Sequence, residues 1–290
     1  MRDFEYLPTK TIKEACSLIS QYKEEGKILA GGQSLITLLR QKLISPSYLI
    51  DIKGISELNY ITFDEKNGLR MGALTTHRAI EKSPIIQKKY NVLSEMEKSV
   101  ASVQTRNWGT IGGNLCSADP IGDPAPSLIA LSAKIKIVSS RGGKTIPLDE
   151  FFTDYFTTLL EPDEILTEIQ LPSPVAHTGV VYMKFSTIEA GIKIVSTSIS
   201  ITLESDRRTC KDAKIVMSAV APVPFNAKKA GNLMAGKKIN DDLIAEAAQL
   251  ASEETNPTPD VHASAEFRRE IANVLVKRAI KQAFEKAKIA

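Results

Sequence analysis

Apolar and polar positions alternate between helical and strand periods over the first part of the chain. The segment Thr11-Ile12-Lys13-Glu14 has the spacing of a helix-capping box, and apolar residues then recur on one helix face until Gly26. The pattern next predicts a strand over 28–30, a helix over 35–43 and a strand over 48–52. This order predicts an α/β unit with a loop at the end of its first strand, where ligands usually bind in such sheets.

The pattern continues with hairpins and short helices up to a proline-rich boundary. Two strand-like pieces between 61 and 73 flank Asn67-Gly68, which is a strong signal for a hairpin turn. Further helical and hairpin patterns follow over 75–83, 92–102, 125–133 and 134–148. A strand then leads to Leu171, and Pro172-Ser173-Pro174 marks the predicted domain boundary.

Beyond this boundary, a run of strands is followed by a run of helices. Three strand patterns with hairpin-like spacing come first, over 180–185, 192–203 and 213–220. Three helical patterns follow them, over 226–235, 241–252 and 263–287. Strands followed by helices are typical of an α+β domain. The sequence therefore predicts domains over 1–172 and 175–290, an α+β fold, and a three-stranded antiparallel sheet with helices in the smaller second domain.

Composition narrows the class of protein. The chain has 290 residues, of which 43% are hydrophobic and 24% charged, as in an ordinary globular protein. Its net charge of +3 is too small to indicate a nucleic-acid partner. Residues 1–20 contain no apolar run of the signal-peptide or membrane-spanning kind, so we expect a cytoplasmic protein without membrane insertion.

Several common site motifs are missing from the sequence. The cysteines Cys16, Cys116 and Cys210 lie far apart, and the three histidines lack metal-ligand spacing, so we expect no metal site and no iron–sulfur cluster on this chain. There is no G-x-S-x-G elbow and no Rossmann G-x-G-x-x-G pattern. The segment Gly142-Gly143-Lys144-Thr145 ends like a phosphate loop, but the first glycine of that motif is absent and no helical pattern follows.

Two segments with paired glycines indicate a phosphate site. They are Ala30-Gly31-Gly32-Gln33-Ser34-Leu35 and Thr110-Ile111-Gly112-Gly113-Asn114-Leu115, and each is predicted to lie between a β-like run and a helical run. Paired glycines allow positive φ and a close approach of backbone N–H groups to a phosphate. A single glycine pair often marks only an ordinary turn, but two pairs suit a diphosphate. Asp123 begins the next helical pattern, either as its N-cap or as an acceptor for a ribose hydroxyl.

Four motifs in order carry a resemblance to a known family: Lys27–Leu35, Arg106–Leu115, Asp123 nine residues after Asn114, and Tyr182-Met183-Lys184-Phe185. Together they resemble the FAD-binding medium subunit of molybdenum hydroxylases, a group that includes xanthine dehydrogenases and carbon monoxide dehydrogenases. The resemblance covers the full length. It implies a two-lobed FAD-binding domain of the vanillyl-alcohol-oxidase (PCMH) type, with lobes over about 1–55 and about 56–172, followed by a CO-dehydrogenase flavoprotein C-terminal domain.

The resemblance also implies a noncovalent FAD site. Ser34 and Thr110 would add hydroxyl groups to the pyrophosphate site, and Asp123 would bind the adenosine ribose. Leu166 and Lys184 match family positions that contact the flavin, although Leu166 also fits a strand core and Lys184 a solvated strand lysine. The remaining matched positions are Val100, against the flavin ring, and the pyrophosphate-binding backbone of Ile28, Leu29, Ala30, Gly31, Gly32, Gln33, Ser34, Leu35, Thr110, Ile111, Gly112, Gly113 and Asn114.

The sequence departs from the family pattern near the flavin. Gln33 stands where many relatives have histidine, so no covalent flavin bond can form there. Cys116 follows the second glycine pair and is expected to be a buried structural thiol. The segment Ser186–Gly191 lacks two arginines that many relatives carry and is one residue shorter than in many of them, which bears on acceptor specificity.

The function implied by the resemblance is electron transfer within a heterotrimer. The FAD would take electrons from a [2Fe-2S] small subunit and pass them to NAD⁺ or another acceptor, while a molybdopterin-containing large subunit oxidises the organic substrate. No side chain here needs to act as acid or base, because the redox chemistry belongs to the cofactor. Two alternatives stay open: a free-standing flavoenzyme of the same superfold, for which the sequence offers no convincing proton donor, and a docking subunit without FAD.

Overall fold

The computed structural model describes residues 3–187 and 191–290, which form three packed units. The segment Ser186–Gly191, where the sequence departs from the family pattern, therefore lies partly outside the described residues. Each unit has its own cluster of buried apolar side chains, and the second and third clusters meet at a shared boundary.

The first unit is a parallel sheet with strand order β1-β3-β2. Its elements are β1 (Glu5–Pro8), α1 (Ile12–Tyr22), β2 (Gly26–Leu29), α2 (Leu35–Arg40) and β3 (Tyr48–Asp51). Helix α1 begins as predicted, because the Thr11 side chain accepts a hydrogen bond from the Glu14 N–H. The sequence pattern does not predict β1, because this edge strand is mostly exposed and carries no apolar alternation.

The second unit is an antiparallel sheet with strand order β4-β5-β10-β6-β7, beside a small β8-β9 hairpin. Its strands are β4 (Ile61–Asp64), β5 (Gly68–Gly72), β6 (Lys134–Ser139), β7 (Gly142–Pro147), β8 (Phe152–Asp154), β9 (Thr157–Thr158) and β10 (Ile165–Leu171). Its helices are α3 (His77–Lys82), α4 (Pro84–Lys89), α5 (Asn91–Lys98), α6 (Val103–Trp108), α7 (Ile111–Ser117) and α8 (Pro124–Ala130). Both predicted hairpins are confirmed.

The structure corrects the expected surroundings of the second glycine pair. The pair does not follow a β-like run: α6 precedes it, and Gly112 and Gly113 lie in the first turn of α7. Ser102 caps α6 through the Thr105 N–H, and Thr110 caps α7 through the Gly113 N–H. These two caps fix where each helix begins.

The third unit is an antiparallel sheet with strand order β11-β12-β13-β14, covered by three helices. Its elements are β11 (Thr178–Ser186), β12 (Lys193–Leu203), β13 (Cys210–Ser218), β14 (Phe225–Asn226), α9 (Lys228–Met234), α10 (Asp241–Glu253) and α11 (Ala265–Ile289). The three predicted strands and three predicted helices are confirmed, and the two-residue β14 makes the sheet four-stranded instead of three-stranded. Gly179 lets α11 approach β11, because a Cβ there would lie 2.0 Å from the Ala283 carbonyl oxygen.

The second and third units share a packed interface. Helix α8 packs against β12 and β13, and Val216 of β13 belongs to the buried core of the second unit. Val180 and Tyr182 of β11 pack against the same core. Asp123, the residue immediately before α8, therefore lies where the two units meet.

Candidate functional site

The first glycine segment offers free backbone donors. Ile28 and Leu29 end β2, residues 30–34 form a loop, and Leu35 begins α2. Gly32 has a φ of +74°, a conformation that favours glycine. Within the described ranges, the N–H groups of residues 31–34 donate no hydrogen bond to the protein, and the Ser34 hydroxyl does not cap α2. Successive unbonded donors of this kind are suited to an anionic ligand.

The second glycine segment has already used most of its donors. The N–H groups of Ile111 and Gly112 donate to the carbonyls of Thr75 and Ala73, each at 2.9 Å. The Asn114 N–H donates to the Thr110 carbonyl at 2.9 Å, and the Gly113 N–H donates to the Thr110 hydroxyl at 3.2 Å. These bonds fix the segment to the second unit, so its backbone is less available to a ligand than that of residues 31–34.

Glycine is needed where the first segment touches the two residues just before the second segment. A Cβ on Gly31 would lie 2.2 Å from the Trp108 carbonyl oxygen and 2.9 Å from the Cα of Gly109. A Cβ on Gly113 would meet only the Thr110 hydroxyl, at 2.8 Å, and the Cβ of Ala30, at 3.8 Å. The surface above Gly113 is therefore open and faces the first segment. The structure brings the two predicted segments together, although they are about 80 residues apart in sequence.

Asp123 is the centre of a buried charge cluster between the second and third units. Its carboxylate accepts hydrogen bonds from the Tyr182 hydroxyl at 2.7 Å and from Lys184 Nζ at 3.0 Å. Lys193 Nζ lies 3.3 Å from the same carboxylate. Asp123 occupies the N-cap position of α8, as one interpretation predicts, but its side chain makes no capping bond. The carboxylate instead joins the two units.

The charges in this cluster stabilise one another. Burial alone would raise the pKa of Asp123, but the ammonium groups of Lys193 and Lys184 outweigh burial and lower it. Burial lowers the pKa of Lys193, and Asp123 opposes that effect. Burial and the neighbouring carboxylate hold the pKa of Tyr182 well above its usual range, so its hydroxyl stays a hydrogen-bond donor.

The predicted flavin contacts lie in different environments. Lys184 is not a solvated strand lysine: its side chain is 10% exposed, and Nζ also donates to the Ser99 carbonyl at 3.1 Å. This bond places Lys184 next to Val100, which is itself buried. Leu166 lies in the core of the second unit, on β10 opposite Ile137 of β6. Val100, Asp123 and Lys184 are thus close together, whereas Leu166 is a strand core residue.

Cys116 corrects a further expectation, because its side chain is exposed. The surrounding protein nevertheless raises the pKa of its thiol to about 12 by desolvation. Cys116 lies on α7, directly after the second glycine segment.

Sequence reasoning missed two buried groups of the cluster, the Tyr182 hydroxyl and the Lys193 ammonium group. Lys193 is 1% exposed and donates to the Gly122 carbonyl at 2.8 Å, with Ser196 and Ser218 as further partners. The available signal was a lysine inside the apolar strand pattern over 192–203, since lysine is almost never fully buried without a partner.

Comparison with known proteins assigns the family. Residues 2–174 match the FAD binding domain in molybdopterin dehydrogenase, and residues 181–283 match the CO dehydrogenase flavoprotein C-terminal domain. The chain belongs to the FAD-binding subunits of the molybdenum hydroxylase family. It is therefore a subunit of a FAD-dependent oxidoreductase, and the resemblance found in the sequence is confirmed.

Relatives in this family match the chain over nearly its full length. The glyceraldehyde dehydrogenase medium chain of Sulfolobus acidocaldarius is 32% identical over 97% of this chain and 98% of its own. The carbon monoxide dehydrogenase medium chain of Hydrogenophaga pseudoflava is 31% identical over 97% of each. A solved structure of carbon monoxide dehydrogenase from the same organism superposes with a TM-score of 0.95, at 31% identity and over 98% of both chains.

The residues of the site fit FAD. Residues 31–34 supply unbonded N–H donors of the kind that bind phosphates, and a Cβ on Gly113 would meet only the Thr110 hydroxyl and the Cβ of Ala30. Within residues 3–187 and 191–290, no group of three or more metal-ligating side chains is present, and no helix has the length and apolar character needed to cross a membrane.

Proposed function

We propose that the FAD diphosphate binds between the two glycine segments, and that the segments contribute unequally. The N–H groups of residues 31–34 are its main hydrogen-bond donors, and the observation that carries this assignment is their lack of partners within the described chain. The second segment contributes the Thr110 hydroxyl, the Asn114 side chain and the uncovered surface of Gly113. Ile28, Leu29, Ala30, Leu35, Ile111 and Gly112 shape the backbone around these contacts.

The residues outside the two glycine segments are proposed to contact other parts of FAD. Asp123 is proposed to accept hydrogen bonds from the adenosine ribose, with Lys184 and Lys193 holding its carboxylate ionised and in place. Lys184 donates to the carbonyl of Ser99, the residue before Val100. Lys184 and Val100 are proposed to contact the flavin ring. Leu166 supports the site from the strand core. None of these side chains needs to transfer a proton.

The chain is proposed to carry electrons within a complex of three subunits. A small subunit with [2Fe-2S] clusters would deliver them, NAD⁺ or another acceptor would receive them, and a large molybdopterin subunit would oxidise the substrate. FAD supplies the redox chemistry, because a flavin can exchange electrons singly or in pairs. The medium-chain names of full-length relatives, at 30–32% identity, support this place in a complex.

Reconstitution tests the binding site. The chain, freed of flavin, should take up one FAD per molecule, and Asp123→Asn should weaken that uptake at least about tenfold, since one hydrogen bond to a charged group is lost. Asp212→Asn on the exposed part of β13 is the matched control. Unchanged FAD affinity in Asp123→Asn would contradict the ribose assignment.

The assembled complex tests electron transfer. With the organic substrate added, the FAD-loaded complex should reduce the acceptor, whereas the flavin-depleted complex should reduce its iron–sulfur clusters and stop there. Acceptor reduction at the same rate without flavin would contradict the proposed route. A single isolated chain that turns over a small substrate would instead favour a free-standing flavoenzyme.

A further inference from the structure

Arg106 is a buried arginine close to several groups of the proposed FAD site. Its side chain is 9% exposed and lies on α6, the helix that leads into the second glycine segment. Its Nε donates to Glu81 Oε2 at 3.0 Å, and its Nη1 donates to the carbonyls of Val100, at 2.8 Å, and Ala101, at 3.0 Å. A guanidinium group is always charged and presents its donors in a rigid fork, so one side chain can fix all three acceptors.

The turn that Arg106 holds, residues 99–102 between α5 and α6, contains a left-handed residue. Ala101 has a φ of +40°, a region that a Cβ disfavours, and the residue is exposed, so packing of its side chain does not explain this conformation. Arg106 bonds the carbonyl groups on both sides of the Ala101 Cα. Such a backbone persists only where the surrounding contacts hold it, and Arg106 supplies two of them.

The same turn carries the proposed flavin contacts. Val100 is buried, and the carbonyl of Ser99, the residue before it, accepts a hydrogen bond from Lys184 Nζ at 3.1 Å. Lys184 belongs to β11 of the third unit, so this bond joins the turn to the next unit. A shift of the turn backbone would therefore displace Val100 and break or move the partner of Lys184.

Glu81 anchors the guanidinium group of Arg106 on α3. Its carboxylate is 5% exposed and also accepts a hydrogen bond from Arg78 at 2.6 Å, and Lys82 Nζ lies 3.6 Å away. Burial alone would raise the pKa of Glu81, but the hydrogen bonds and charges of Arg78 and Arg106 outweigh burial and lower it. Because Arg78 and Lys82 remain, a substitution at Arg106 does not leave this carboxylate without a cation.

We propose that Arg106 is a positioning residue for the flavin ring, because its guanidinium group ties the 99–102 turn to α3 and so keeps Val100 and the partner of Lys184 in place. The proposal rests on the flavin contacts proposed above for Val100 and Lys184. Arg106 acts through the backbone of the turn, so its replacement should alter the surroundings of the bound flavin as well as the stability of the fold.

Arg106→Lys tests this role without removing the charge. Lysine keeps a cation near Glu81, but a single ammonium group on a flexible chain does not reproduce the fork that bonds the carboxylate and both carbonyls. FAD affinity of the flavin-depleted full chain should fall about tenfold, the worth of one hydrogen bond to a charged group. The visible circular dichroism of the bound flavin, measured at saturating FAD, should change as well. Arg78→Lys is the matched control, since Arg78 bonds the same carboxylate from within α3, and it should keep both wild-type values.

A second substitution tests the turn itself as the route from Arg106 to the flavin. Glycine adopts a positive φ without the cost of a Cβ, so Ala101→Gly, added to Arg106→Lys, should restore part of the FAD affinity and part of the flavin spectrum. No recovery in the double variant would show that Arg106 does not act through this turn, and it would overturn the proposal.

Urea denaturation checks that each variant is folded and separates positioning from stability. A lower free energy of unfolding in Arg106→Lys, with FAD affinity and the flavin spectrum unchanged, would mean that the arginine only stabilises the fold, which would overturn the proposal. An equal spectral change in Arg78→Lys would assign the effect to α3 and would overturn it too. If the wild-type chain takes up no FAD, the proposed FAD site itself fails, and the role of Arg106 fails with it.

Discussion

The two glycine segments look alike in sequence but differ in what their backbones do. In the first, the N–H groups of residues 31–34 have no acceptor in the described chain, and Gly32 has a positive φ. In the second, the N–H groups of residues 111–114 are all bonded to the protein. The first segment supplies hydrogen-bond donors. The second is a rigid support, and its open surface at Gly113 faces the first segment.

The glycines of the two segments are also required for different structural reasons. Gly31 allows the first segment to pack on Trp108 and Gly109, just before the second. Gly32 allows a left-handed turn, and Gly112 allows α7 to pack on Ala73. Gly113 alone has space beside it that the protein does not fill, apart from the Thr110 hydroxyl. Two pairs of glycines that look alike in sequence therefore meet four separate physical requirements, and single substitutions can separate them.

The largest effect is expected at the contact between the segments. Gly31→Ala places a methyl group 2.2 Å from a backbone carbonyl oxygen, so the segments must move apart. We expect a loss of about 3 kcal/mol in the free energy of unfolding and loss of FAD retention. Urea denaturation and flavin absorbance measure the two. Full stability and full flavin content would show that the segments do not need this contact.

A smaller effect is expected at the turn of the first segment. Gly32→Ala forces a residue with a Cβ into a φ of +74°, which costs about 1–2 kcal/mol. FAD affinity should fall as well, because the direction of the neighbouring N–H groups changes. Gly32→Asn is the matched variant, since asparagine tolerates this conformation better, and it should recover part of both losses. Equal losses in the two variants would contradict a conformational cause.

The N-cap of α7 tests the second segment as a support. Thr110→Val removes the hydroxyl that accepts from the Gly113 N–H, which should cost about 1 kcal/mol of stability and weaken FAD binding. Thr110→Ser keeps the hydroxyl and should retain both properties. A Thr110→Val variant that binds FAD more tightly would mean that the freed Gly113 N–H is itself a phosphate donor, which would make the segments equal.

The smallest change in stability is expected at Gly113. In Gly113→Ala, the higher helix propensity of alanine offsets the crowding of its methyl group against the Thr110 hydroxyl. The free energy of unfolding should therefore change by less than about 0.5 kcal/mol. FAD affinity should nevertheless drop about tenfold, because the methyl group occupies the open surface. Gly112→Ala is the control with the opposite expectation. Its methyl group would collide with Ala73, so the free energy of unfolding should fall while FAD affinity changes little. Unaltered FAD affinity in Gly113→Ala would place the diphosphate elsewhere.

Much of this arrangement can be predicted from the sequence, and the remainder depends on contacts between distant residues. Hairpins and long helices follow from local patterns such as Asn67-Gly68 and the capping box at Thr11, and both are confirmed. The pairing of Asp123 with Lys193 is not readable from the sequence, because it joins positions 70 residues apart on different units. Nor are the pairing of Arg106 with Glu81 and the bonds that occupy the donors of the second segment.

Hydrogen–deuterium exchange, with and without FAD, tests the unequal roles of the segments most directly. In the FAD-free chain, the amides of residues 31–34 should exchange fast, and those of residues 111–114 should already be slow. FAD binding should slow the first group by about tenfold or more and leave the second almost unchanged. The opposite result, with 31–34 unaffected and 111–114 becoming protected only when FAD binds, would contradict the account.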